Sequence, residues 1–115
     1  MVSVDFDKPR QLKYDLDAVR DLEAGMNGQP LGSIVQQLGQ IGVNAIVFSL
    51  WAGLKWEDRG LSPNLVTKRL QTYIKAGKSL KKLAEAINDA LEETGLFRTD
   101  EDPEGNAQPE PTATT

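Results

Sequence analysis

Residues 44–56, Asn44-Ala-Ile-Val-Phe-Ser-Leu-Trp-Ala-Gly-Leu-Lys-Trp56, form the most apolar run of the chain and hold both tryptophans and one of three phenylalanines. Its apolar side chains fall nearly all round a helical wheel, as they do in a helix enclosed by other helices. Phe48, Trp51 and Leu54 share one face, and Ile46, Val47 and Leu50 cover the opposite side. A charged break, Glu57-Asp58-Arg59-Gly60, follows and reads as solvated. Trp56 differs from the rest, because it stands at the helix end beside those charges and just after Lys55. Tryptophan in such a place is an anchor for a partner, since it is enriched among binding hot spots. The other residues of the run read chiefly as core.

Working outward, the flanking segments predict four more helices separated by glycine. Asp15 can cap a helix carrying Leu16, Val19 and Leu22, with Asp17 near its positive end, Glu23 on the flank and Gly25 as its stop. Leu31, Ile34, Val35 and Leu38 mark a short second helix. Ser62 before Pro63 is a capping hydroxyl followed by a proline at the first helical position. Leu65, Val66, Leu70, Tyr73 and Ile74 then form a stripe ended by Gly77. Ser79 caps a last helix through Leu80, Leu83, Ala84, Ile87 and Leu91, ended by Gly95. The expected fold is all-α, a compact bundle of about five short helices joined by short loops. Only the amino-terminal segment 1–14 looks extended: Val2, Val4 and Phe6 alternate, and Gln11 to Tyr14 could pair back across Lys8-Pro9 as a small β-hairpin.

At 115 residues the chain suits one helical domain, 1–97, large enough for a core without staples. It has no cysteine and no histidine, which excludes a disulfide framework, a thiolate zinc site, and the usual general base and metal ligand. No apolar run reaches the roughly 18 residues of a membrane span. The acidic start Met1-Val-Ser-Val-Asp-Phe-Asp7 is unlike a secretory leader, so a cytosolic protein is expected.

The net charge of −4 resides in residues 98–115, where Arg98 stands against five acids. That segment lacks large apolar residues and holds three prolines, so it reads as a disordered acidic tail or linker. Residues 61–84 contain no acid and six bases: Lys68, Arg69, Lys75, Lys78, Lys81 and Lys82. Such a patch could meet phosphates, but the pI near 4.8 and the lack of interleaved aromatics disfavour nucleic acid. An acidic protein partner, or the chain's own tail, is as good an electrostatic match.

No catalytic constellation emerges. Asp15, Asp17 and Asp21 lack the glycine and closing glutamate of a calcium loop, and a helix start accounts for the first two. The glycines at 25, 28, 32, 39 and 42 are not followed by the Gly-Lys-Ser/Thr of a phosphate loop. A non-enzymatic protein without cofactor is expected.

The order of segments resembles a known family. Lys13-Tyr-Asp-Leu-Asp-Ala-Val-Arg-Asp-Leu-Glu23 comes first, then an apolar helix closing in Leu50-Trp-Ala-Gly-Leu54. Leu61-Ser-Pro63, a helix ending in glycine and an Ala/Leu-rich last helix follow. This looks like the tail assembly chaperones of long-tailed bacteriophages and gene-transfer-agent particles, over Leu12 to Phe97. Its most specific elements are Tyr14, Asp15, Leu16 and Ala18, with Leu22 and Glu23, and the box Trp51, Ala52, Gly53 and Leu54; Ser62 and Pro63 are compatible with the family's next helix start.

The resemblance implies a protein of the host cytoplasm, absent from the mature virion. Such chaperones bind the tape measure protein, keep it soluble and promote tail tube polymerisation around it. It implies the tail tube protein as a further partner, through a longer frameshifted form, and leaves self-association open. Phe48, Trp51, Leu54 and Trp56, with Lys68, Arg69 and Lys75 tuning encounter, are the partner-binding candidates. The alternatives are a structural tail completion or connector protein and, less favoured, a small nucleic-acid-binding regulator.

Overall fold

Each predicted cap is made in the computed structural model, which describes residues 2–96. The Asp15 carboxylate accepts from the Ala18 amide at 2.8 Å, Ser62 Oγ from Leu65 at 3.1 Å, and Ser79 Oγ from Lys82 at 3.2 Å. These bonds satisfy amides that a helix start leaves without partners. The elements run β1 (Val2–Asp5), β2 (Pro9–Leu12), α1 (Leu16–Gly25), α2 (Leu31–Gly39), α3 (Val43–Leu54), α4 (Pro63–Lys75) and α5 (Leu80–Glu92). Among the described residues the fold is thus five helices with a small amino-terminal antiparallel hairpin, paired Val2 to Leu12 and Val4 to Arg10. The tail expected at 98–115 lies outside the described residues.

α3 is the hub, packing against α1, α2, α4, α5 and β2. Ile46, Val47, Leu50 and Leu54 are all buried, each contributing about 2 kcal/mol of apolar transfer. The hairpin closes the bundle by laying β1 on α5 and β2 on α3. No single helix among the described residues is long and apolar enough to cross a membrane.

Three stops share one geometry. After α1, α2 and α4 the residue beyond the cap is left-handed: Asn27 (φ 62°), Ile41 (φ 59°) and Gly77 (φ 82°). In each case the next amide reaches back to the third-last helical carbonyl: Gly28 to Glu23, Gly42 to Gln37, and Lys78 to Tyr73. Glycine and asparagine adopt this conformation readily. The β-branched Ile41 is strained there by about 1–3 kcal/mol, offset by packing its side chain against the core.

The structure corrects several expectations. α1 does end at Gly25, but the left-handed turn that stops it falls two residues on, at Asn27-Gly28. Gly25 serves also as a flat seat for the Phe48 ring, where an added Cβ would meet Cδ1 at 2.6 Å. Leu16 is 64% exposed. Spacing of three residues lags a full turn by 60°, so Leu16 sits about 100° from the face centred on Ala18, Val19, Leu22 and Met26. For the same reason Leu65 and Ile74 flank the buried Val66-Leu70-Tyr73 stripe of α4, and Ile74 is exposed. The second strand begins at Pro9 rather than Gln11.

Candidate partner-binding surface

The chain leaves β2 through Lys13-Tyr14-Asp15 and crosses the carboxyl-terminal end of α3. The Lys13 amide donates to the Gly53 carbonyl at 2.9 Å. The phenol end of Tyr14 packs against Gly53, and its hydroxyl donates to the Ser49 carbonyl at 2.5 Å. A Cβ on Gly53 would stand 2.6 Å from Cζ and 2.7 Å from Oη of that ring. Burial pushes the Tyr14 phenol far above its ordinary pKa, because its anion would have no water. The two segments that carry the resemblance therefore interlock. Glu23 has a comparable role, its Oε2 accepting from the Leu31 amide at 2.8 Å and so capping α2.

On the outer side of this junction are the aromatic candidates. Phe48 and Trp51 are half-buried and meet edge to face, with centroids 6.4 Å apart. The Lys55 ammonium sits 4.8 Å from the Trp51 centroid and pairs with Asp21. Leu54 is fully buried beneath them, so it cannot touch a partner. Trp56 is 42% exposed. Its indole N–H donates to the Gln11 carbonyl at 3.1 Å, and the Lys13 ammonium lies 5.5 Å from its centroid. Those contacts hold the ring in one orientation while part of it stays exposed, which lowers the ordering cost of using it as an anchor.

Two depressions flank Trp56. One, about 590 Å³, is bounded by the outer face of the hairpin (Ser3, Asp5, Pro9, Gln11) and Glu57. The other, about 240 Å³, is bounded by Lys13, Asp15, Asp17, Asp21 and Lys55. Neither includes Lys68, Arg69 or Lys75. Among the described residues, no three acidic, histidine or cysteine side chains are grouped so as to hold a metal ion.

The basic stretch is divided. Lys68 and Lys75 lie exposed on the outer face of α4, opposite its buried stripe. Arg69 is rotated toward the hairpin and bound there, with Nη1 3.0 Å from Asp7 and 3.5 Å from Asp58. Lys78 pairs with Asp5 at 3.3 Å.

Arg10 organises that acidic corner, and sequence reasoning missed it. Its side chain is only 3% exposed. It donates Nε and Nη2 to the two Asp7 oxygens at 2.8 and 2.7 Å, and both Nη atoms lie 3.4 Å from Asp58. The bond from Arg10 holds the Asp7 carboxyl below its usual pKa against the opposing effect of burial. Asp58 is accordingly a ligand of two guanidinium groups, not part of a solvated break. The available signal was register, for Arg10 alternates with Leu12 on the inward face of β2.

No protein-family model, curated protein or solved structure matches the chain.

Proposed function

We propose that this protein is a tail assembly chaperone that binds the tape measure protein, keeps it soluble and promotes tube polymerisation around it. The observation that carries the reading is the seating of Tyr14 on Gly53. The Tyr14-to-Glu23 segment and the Trp51-to-Leu54 box are far apart in sequence, yet their signature residues require one another. Their packing into one unit supports reading the two segments together.

Trp56, braced by Lys13 and Gln11 between two depressions, supplies the anchor. Half-buried Phe48 and Trp51 extend the apolar strip on the α1 side. A tape measure segment is long and helical, and an amphipathic helix can lay its apolar face on such a surface. Exposed Lys68 and Lys75 on α4 would speed encounter without entering the contact. The protein would act in the host cytoplasm, with the tail tube protein as a later partner.

Co-expression with the tape measure protein tests this. Soluble tape measure should increase and co-purify with the chain. Failure of both would refute the reading, and stoichiometric presence of the chain in purified particles would favour a structural tail component instead.

A further inference from the structure

The two edges of the hairpin are not equivalent. Pro9 has no amide, so the Asp5–Pro9 pair cannot exchange two hydrogen bonds. Antiparallel pairs alternate, which makes Val4–Arg10 and Val2–Leu12 the bonded pairs and turns the backbone groups of Ser3, Asp5, Pro9 and Gln11 outward. On β2 this outer edge is partly closed: the Gln11 carbonyl is taken by Trp56, Pro9 has no donor, and the Lys13 amide is taken by Gly53, which leaves only the Gln11 N–H and the Pro9 carbonyl. On β1 the outward N–H and C=O groups of Ser3 and Asp5 have no backbone partner among the described residues. Both residues are exposed.

Beside that open edge runs a trough of about 440 Å³. Val4, Leu83 and Ala86 form its apolar floor, and Gly77, Lys78, Ser79 and Lys82 its far wall. Lys78 is shared between Asp5 and the face of Tyr73, 5.6 Å from the ring centroid. Lys82 has no acidic partner among the described residues, and residues 61–84 supply no acid to either. An unpaired strand edge recruits an extended backbone, and a wall of two lysines of which only Lys78 has an acidic partner selects negative charge.

We propose that the free edge of β1 is a docking site for an extended acidic segment of a partner protein, which adds to the hairpin as a third strand. Its backbone pairs with Ser3 and Asp5. Alternate apolar side chains lie over Leu83 and Ala86, and its carboxylates meet Lys78 and Lys82. This surface is separate from the Trp56 strip and stands whether or not the chain is a tail assembly chaperone.

The test uses the full chain and two capped hexapeptides, Glu-Val-Thr-Val-Glu-Val and Lys-Val-Thr-Val-Lys-Val. Amide-resolved NMR and hydrogen exchange should show the glutamate peptide alone protecting Ser3 and Asp5, with affinity falling as salt rises. Ser3→Pro removes one outward donor without breaking a hairpin bond, and should weaken binding about tenfold, the worth of one backbone hydrogen bond. Ser3→Ala should bind as the wild type, and Lys82→Glu should bind more weakly with a smaller salt dependence. Equal binding of both peptides, or an unaffected Ser3→Pro variant, would overturn the proposal. So would protection already present without peptide. If neutralising Asp100, Glu101, Asp102 and Glu104 abolished it, the chain's own 98–110 segment would be the occupant. If it grew with protein concentration, a second copy would be.

Discussion

Alanine at position 53 sets two known effects of opposite sign against each other. Inside a helix, Gly→Ala ordinarily stabilises by up to about 1 kcal/mol, because glycine loses more backbone entropy on folding. At Gly53 the new methyl would meet Tyr14 Cζ, Oη and Cε1 at 2.6, 2.7 and 2.9 Å. The ring has no easy retreat, being buried and tied through its hydroxyl to the Ser49 carbonyl. Overpacking of this kind costs about 1–3 kcal/mol. If the ring is displaced, its buried hydroxyl loses its acceptor at a further cost of about 1–3 kcal/mol. The sterics win, and the net expectation is a loss of about 2–4 kcal/mol. Urea unfolding followed by circular dichroism should show a lower midpoint with an unchanged slope, and Tm should fall by about 10 °C or more. Gly32→Ala in α2 is the matched control, because nothing lies within 4 Å of its added Cβ. It should stabilise by about 0.5–1 kcal/mol. In a Tyr14→Leu background the penalty at position 53 should largely vanish, since the clash partner is gone. A Gly53→Ala protein as stable as the wild type would refute the interlock.

Other outcomes follow from the same structure. Burial raises the pKa of both tyrosines, Tyr14 strongly and Tyr73 against the lowering effect of Lys78. The folded state therefore binds more protons, so this stability is present below the unfolded phenol value of 10 and is lost as pH rises beyond it. Tyrosinate absorbance at Tyr14 should appear only together with alkaline unfolding; a reversible titration near 10 in folded protein would contradict its burial. At the acid end Asp7, whose pKa Arg10 lowers, contributes stability present above the unfolded value of 3.8 and lost as pH falls through the folded one. Asp7→Asn should thus lower stability at neutral pH and flatten its decline on acidification, measured by urea midpoints across that range. Trp56→Ala should cost about 1 kcal/mol of stability, chiefly the bond to Gln11, but about 2 kcal/mol or more of partner binding by calorimetry. Unfolding of that variant would place the docking surface elsewhere.

The aromatic strip was partly legible in advance. Trp56 is exposed because the helix ends before it, a boundary visible in the charges that follow. The burial of Leu54 and the pairing of Arg69 with Asp7 and Asp58 were not legible, because a helical wheel gives spacing but not the rotation of the helix against its neighbours. Arg10 escaped notice because a lone arginine in a short strand resembles any solvated charge until Asp58, 48 residues away, is brought beside it.

The sequence by itself determined where helices begin, and that α3 lies at the centre. Caps act over three residues, from Asp15 to Ala18, Ser62 to Leu65 and Ser79 to Lys82, so their signals survive without tertiary context. Burial of α3 was legible from its composition, since no wheel of that content can face water. Only the tertiary structure decided that Leu16 and Ile74 face out, and that Gly25, the last residue of α1, also seats a ring. It alone joined Tyr14 to Ser49 across 35 residues. Those outcomes depend on which surfaces meet, and a chain's local preferences fix its elements before they fix how the elements turn toward one another.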